Sequence, residues 1–252
     1  MGLSPEEKTR YGRQMMLPDF GEAGQEKLKQ SQVLIAGVGG LGSPLGFYLA
    51  AAGVGRIVLA DSDSPDLSNL NRQILHWEKD LGRPKVDSAA EKLSQLNSAI
   101  EVIPRRERIT EETAEGLVEG CDLIIDALDN FETRHLLNRV SVATGIPLLY
   151  GGIHSLTGML SLFIPGRTAC LSCIFPGTIP PEVFPVLGAT PGVIATLQAT
   201  EAVKYLVGFG ELLENKLLIY NGLEMSFHQV EISADEGCKV CGSGSSRDLP
   251  AG

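Results

Sequence analysis

The chain has 252 residues, of which 43% are hydrophobic, and its 21 Lys and Arg face 31 Asp and Glu for a net charge of -10. That length and apolar content can bury a full core in a single α/β domain, while the acidic balance argues against nucleic acid as a partner. No apolar run is long enough to span a bilayer, and a polar N-terminus with two thiol pairs points to a cytoplasmic enzyme whose cysteines hold metal rather than disulfides.

The first predicted element is a helix opened by Ser4-Pro5-Glu6-Glu7: Ser4 is the N-cap, Pro5 suits the first turn, and Glu7 completes a capping box. It would carry Tyr11, Arg13, Gln14, Met15 and Met16, and on its own Arg13 reads as a solvated helix charge. Val33 to Ala36 is a short apolar strand, and Leu45 to Ala51 has the character of a helix. Between them lies Gly37-Val38-Gly39-Gly40-Leu41-Gly42. Glycines at a strand-to-helix turn let phosphate oxygens approach the backbone, and the helix start supplies free N–H groups and positive dipole. The next strand, Ile57 to Ala60, ends on Asp61, about 20 residues past the loop, the spacing at which such folds set a carboxylate against ribose hydroxyls. Asp63 divides evenly between a second ribose contact and a solvated loop acid. At this point a nicotinamide dehydrogenase and an ATP enzyme fit equally.

Ser68-Asn69-Leu70-Asn71-Arg72-Gln73 separates them. A triphosphate with a departing pyrophosphate needs cations along it, whereas a dinucleotide pyrophosphate can be held by backbone amides. Arg72 sits in a polar segment too short for a core element. Lys85 follows Gly82-Arg83-Pro84 at the start of a helix running to about Asn97, where a lysine opposes the helix dipole unless an anion faces it. Cys121 to Asn130 is a buried strand ending in polar residues at the end where open parallel sheets bind ligands. Asp129 there is a candidate magnesium ligand. Asn130 can cap the helix from Phe131 to about Ala143, which leaves Asp129 free.

Strand-like runs at 32–37, 56–61, 100–104, 122–127 and 147–151 alternate with helices, predicting a Rossmann-like α/β fold, a mostly parallel sheet with helices on both faces. After Gly151 the runs 158–164 and 217–232, with a helix over 192–206 between them, predict an antiparallel C-terminal extension. The expected organisation is one domain over 1–242: N-terminal helices (1–30), a nucleotide-binding core (31–152), and a carrier-binding and metal region (153–242) with a proline-rich crossover loop at 174–191. Residues 243–252 read as a disordered tail.

Cys170-Leu171-Ser172-Cys173 and Cys238-Lys239-Val240-Cys241 form a tetrahedral thiolate set suited to structural zinc, clipping the C-terminal end onto the body. A redox dithiol is the rival, less attractive because it needs no second copy. Cys121, before an apolar strand, reads as an inert buried thiol. His76, His135, His154 and His228 show no metal-ligand spacing and read as satisfied structural or surface residues.

Taken together, Arg10-Tyr11-Gly12-Arg13-Gln14, Gly37 to Gly42, Asp61, Ser68 to Gln73, Pro84-Lys85, Asp129-Asn130 and both Cys-x-x-Cys pairs resemble the MoeB/ThiF/HesA family, bacterial relatives of ubiquitin-activating enzymes, over nearly the whole chain. The resemblance implies ATP- and Mg2+-dependent adenylation of the C-terminal glycine of a small ubiquitin-like sulfur carrier, with release of pyrophosphate. It implies zinc at the four cysteines and a homodimer in which Arg13 reaches the neighbouring subunit's site. The ATP-binding set is then Gly37, Gly39, Gly40, Gly42, Asp61, Asp63, Ser68, Asn69, Asn71, Arg72, Lys85, Asp129 and Asn130, with Arg13, Arg72, Lys85 and Asp129 catalytic. Many relatives carry a further cysteine in the crossover loop, and Ile174 to Pro191 contains none. That predicts adenylation without transfer to a loop thiol, the sulfur coming from a persulfide-bearing partner or sulfide. The alternatives are an NAD-dependent oxidoreductase, which leaves Arg72, Lys85 and Asp129 without roles, and an inactive carrier-binding scaffold.

Overall fold

The computed structural model describes residues 2–177 and 185–242. Helix α1, Pro5–Met15, begins as its sequence predicts: Glu7 N donates to Ser4 Oγ at 3.2 Å, and Ser4 N donates to Glu7 Oε2 at 2.6 Å. Met16, expected inside this helix, caps it instead. There follow α2 (Gly21–Gln30), β1 (Gln32–Ala36), α3 (Gly42–Ala52), β2 (Arg56–Ala60), α4 (Lys85–Leu96), β3 (Glu101–Arg105), α5 (Ala114–Val118), β4 (Leu123–Asp126) and α6 (Phe131–Thr144). The chain continues through β5 (Leu148–His154), β6 (Thr157–Phe163), α7 (Leu171–Ile174), α8 (Ala189–Val207), β7 (Lys216–Asn221) and β8 (Ser226–Glu231).

Among the described residues, the eight strands form one sheet in the order β3-β2-β1-β4-β5-β6-β7-β8. From β3 to β5 every pairing is parallel, and from β5 to β8 every pairing is antiparallel. The continuous apolar character of β1 has a direct cause, since both of its faces are covered. Val33 and Ile35 point to one core with Leu45, Leu49 and Leu93, and Leu34 and Ala36 point to the other with Ile124, Leu137 and Val140. Strand order reverses between β1 and β4, which opens a crevice at their C-terminal ends. The antiparallel extension continues the same sheet, because β5 pairs β4 at its start and β6 along its whole length.

Helix α8 packs on α3 and β5 rather than on the extension alone, with Ile194, Ala195, Ala199 and Ala202 buried in the first core. The crossover loop predicted at 174–191 therefore leaves α7 and returns to the nucleotide core. Its residues 178–184 lie outside the described residues, as does the tail expected at 243–252.

Candidate active site

The glycine loop leaves β1 at the sheet's switch point. Gly37 has a φ of 92°, a left-handed conformation that favours glycine, and a Cβ there would press on the Ala127 carbonyl oxygen at 2.8 Å, so the turns after β1 and β4 touch. A Cβ on Gly42 would overlap the Gly37 carbonyl oxygen, which makes glycine the only side chain that closes the loop this tightly. Among the described residues, the N–H groups of Gly39 and Gly40 meet no acceptor. Unspent donors at a helix start are what a phosphate requires, so the loop fits the nucleotide expected there.

Asp61 ends β2 beside this loop, and both of its oxygens are engaged: Val38 N donates to Oδ2 and Asp63 N to Oδ1, each at 2.8 Å. The residue predicted to meet ribose thus also anchors the loop, with lone pairs left for hydroxyls. Asp63 is exposed but has a task. Its backbone oxygen accepts from Lys85 N at 2.9 Å, and its Oδ2 lies 3.4 Å from Lys85 Nζ. Pro84 caps α4 instead of entering its first turn, which makes Lys85 the first helical residue. The Lys85 side chain is 8% exposed while its one carboxylate partner among the described residues is 69% exposed, so a nearly buried ammonium is weakly compensated.

Ser68 and Asn69 lie in a single 3-10 turn, Leu67–Asn69, fixed by Asp66, whose Oδ1 accepts from Ser68 N at 2.9 Å. Arg72 donates from Nη1 to Ser68 O at 2.9 Å and to Asn71 Oδ1 at 3.0 Å, so its guanidinium is steered without a carboxylate. The exit of the crossover loop rests on this segment. A Cβ on Gly188 would overlap the Asn71 carbonyl oxygen, and Pro191 lies 3.4 Å from where a Gly40 Cβ would be. Across the crevice, Asn130 caps α6, its Oδ1 accepting from Thr133 N at 2.9 Å. Asp129 is exposed and makes no hydrogen bond among the described residues. A magnesium ion bound to phosphates needs only one or two protein carboxylates, and Asp129 is placed where it could supply one.

Several site residues were not legible in the sequence. Asp126 is fully buried under the crevice with Oδ2 3.5 Å from Arg134 Nε, and Arg134 donates from Nη2 to Leu128 O and, at 3.1 Å, to Gly151 O. Arg134 also stacks over Phe131 and Tyr150, with its carbon centre 5.3 Å and 5.1 Å from their rings. Gln73 is buried near Gly39, and its Oε1, like Ser43 Oγ, has no partner among the described residues. His76 is buried behind the loop. No periodicity marks these residues, because their roles depend on neighbours from distant elements.

Arg13 is not brought to this site within one chain. It is exposed on α1, whose Tyr11 and Gln14 pack at the C-terminal end of α3 (Tyr11 against Gly53, Gln14 Nε2 donating to Ala52 O at 2.8 Å). The glycine loop lies at the other end of α3, an 11-residue helix and so roughly 16 Å long.

The two Cys-x-x-Cys pairs meet. Sγ atoms of Cys170, Cys173, Cys238 and Cys241 all lie within 4.8 Å of one another, with separations of 3.8 Å (Cys170–Cys173), 3.7 Å (Cys170–Cys238) and 3.4 Å (Cys173–Cys241). A tetrahedral zinc site with ordinary zinc–sulfur bonds has edges of roughly 3.8 Å. Asn138 Nδ2 donates to Cys170 Sγ at 3.5 Å, and Asp235 N to Cys173 Sγ at 3.4 Å, an outer shell typical of thiolate metal sites. The four cysteines fit a structural zinc ion. Cys121 is apart from this cluster and buried, and desolvation pushes its thiol pKa up.

Comparison with known proteins agrees with this geometry. The ThiF family model matches residues 11–240. The chain is similar to the SAMP-activating enzyme E1 of Haloferax volcanii, 39% identical over 250 residues, covering 97% of this chain and 92% of that protein. It is 40% identical over 253 residues to the sulfur carrier protein adenylyltransferase of Thermus thermophilus, covering 96% and 93%. Among solved structures, E. coli MccB with ATP superposes with a TM-score of 0.81 at 26% identity, over 95% of this chain and 75% of MccB.

Proposed function

The chain belongs to the ThiF family, and on that premise we propose that it is an adenylyltransferase that uses magnesium ATP to activate the C-terminal glycine carboxylate of a small ubiquitin-like sulfur carrier, releasing pyrophosphate. One observation carries the reading: a nearly buried, weakly compensated Lys85 stands at the same crevice as unspent glycine-loop donors and a free Asp129.

The chemistry asks little of the protein beyond alignment and charge. A C-terminal carboxylate is an anion at neutral pH and needs no general base. Its obstacle is repulsion from the α-phosphate it must attack. Arg72 and Lys85 lower that repulsion from the protein side, and the N–H groups of Gly39 and Gly40 hold phosphate oxygens in a preorganised turn. Asp61 holds the ribose and the loop together. Asp129 would hold the magnesium ion, which would supply charge neutralisation to the phosphates. Arg13 completes the site from a second subunit, a role supported by its separation from its own glycine loop. Residues 1–242 work as one adenylation unit, with 153–242 meeting the carrier. With no cysteine at 174–191, the acyl group of the adenylate is passed to external sulfur, from a persulfide-bearing protein or sulfide, which forms the carbon–sulfur bond as the bond to AMP breaks and AMP leaves.

ATP–pyrophosphate exchange that depends on a Gly-Gly-ending carrier is the expected result. Absence of exchange with every such carrier, together with NADH binding, would replace this reading with an oxidoreductase.

A further inference from the structure

His76 lies outside the groups assigned above, is 2% exposed, and reaches the glycine loop from behind. Its Nε2 is 2.8 Å from Val38 O, and its Nδ1 is 3.1 Å from Ser88 Oγ. A carbonyl only accepts, so Nε2 carries the hydrogen. Burial is the main cause that lowers the imidazole's proton affinity, and in the neutral ring Nδ1 then accepts from the Ser88 hydroxyl. Ser88 Oγ in turn accepts from Lys92 Nζ at 2.7 Å, and Lys92 donates to Asp80 Oδ2 at 2.5 Å, both charges almost wholly buried. Lys92 thus donates both to Ser88 and to Asp80, and Ser88 stands between the ammonium and the imidazole.

Val38 is therefore gripped from two sides. Asp61 accepts from its N–H and His76 donates to its carbonyl. A trans peptide sets the carbonyl of one residue and the N–H of the next in opposite directions. No cis peptide occurs among the described residues, so pinning the Val38 carbonyl toward His76 turns the Gly39 N–H the other way, away from the core side of the loop, where it meets no acceptor. Gly39 on the C-terminal side of this peptide would otherwise lower the cost of rotating it.

We propose that His76 is a positioning residue for phosphate recognition: held as its Nε2–H form by Ser88, Lys92 and Asp80, it sets the Val38–Gly39 peptide so that the Gly39 N–H is presented to the nucleotide's phosphates. This rests on the nucleotide reading of the site. Removing the imidazole frees the peptide and costs a hydrogen bond to a charged group, while contacts to base and ribose stay.

The test is calorimetric binding of magnesium ATP and of adenosine to the full chain. His76→Ala is expected to weaken ATP about 10- to 100-fold and to leave adenosine within about 3-fold, the scale of ordinary variation in one contact. His76→Gln, whose amide can donate to the Val38 carbonyl, is expected to recover most of the loss. Ser88→Ala, which keeps the imidazole but removes the group that orients it, is expected to give a smaller loss of the same kind, and it serves if His76→Ala does not fold. Equal weakening of ATP and adenosine, or no change in either for both variants, overturns the positioning role. A wild-type chain that binds no magnesium ATP overturns the nucleotide reading itself.

Discussion

Asp126 is the carboxylate least like one in water. Burial pushes its pKa up to about 6 against the pull of Arg134 and of the Leu128 N–H that donates to it at 3.0 Å, with Asp129 adding to the rise. Its folded value lies above the ordinary 3.8, so the folded state binds the proton more tightly than the unfolded chain. Stability then falls as pH rises through the window between 3.8 and about 6 and is level above it, a loss on the order of 3 kcal/mol at most. Asp126→Asn is expected to flatten that part of the curve in urea melts at stepped pH. Any cost of leaving Arg134 without its countercharge shifts the whole curve and not its slope, and parallel curves would show that Asp126 does not titrate there. The residue also shows why some of the site could not be read from the chain. Asp61 announces itself by ending a strand at a known spacing from the glycines, whereas Asp126 ends a strand only to turn under the crevice toward Arg134 on α6. His76 is concealed in the same way, since its meaning depends on Val38 and Ser88, which arrive from other elements.

At the scale of elements, the alternation of apolar strands and helices was enough to foresee the parallel sheet, and the glycine loop, Asp61, Lys85 and Asp129 followed from their places at strand and helix ends. The pairing of the C-terminal strands was not foreseeable, because strand patterns report faces and not partners. Only the pairing places the extension in the same sheet as the nucleotide core. Helix α8, foreseen over 192–206 and found at Ala189–Val207, has a packing that was not legible for a related reason: apolar on most sides, it is drawn into the core between α3 and β5. The thiolate cluster is the other long-range link, joining α7 to the segment after β8. Zinc held there would close a long loop and be worth roughly 4 kcal/mol by loop closure. Cys238→Ser is expected to lose bound zinc by elemental analysis, to lower the melting temperature, and to make the chain around residues 233–242 newly sensitive to protease. Full zinc content in that variant would mean the four thiolates do not act as one site.

For the whole molecule, the position of α1 matters most. Tyr11 and Gln14 fasten it to the C-terminal end of α3, with Asn97 Nδ2 donating to Tyr11 Oη at 2.8 Å, so a shift of this helix toward its own glycine loop would break buried hydrogen bonds. Arg13 is exposed on that base and lies away from its own glycine loop, which is the ground for proposing that it serves a neighbouring subunit's site. In a symmetric dimer each site would then combine Asp129 of one chain with Arg13 of the other. Arg13→Ala and Asp129→Ala should each be nearly inactive alone in carrier-dependent pyrophosphate exchange. After subunit exchange in equal mixture, half the dimers are hybrids and each hybrid holds one intact site, so activity should return to about a quarter of wild type. If Arg13 instead served its own chain, no hybrid would contain a complete site, and mixing would restore nothing even when exchange is shown by mass-tagged subunits.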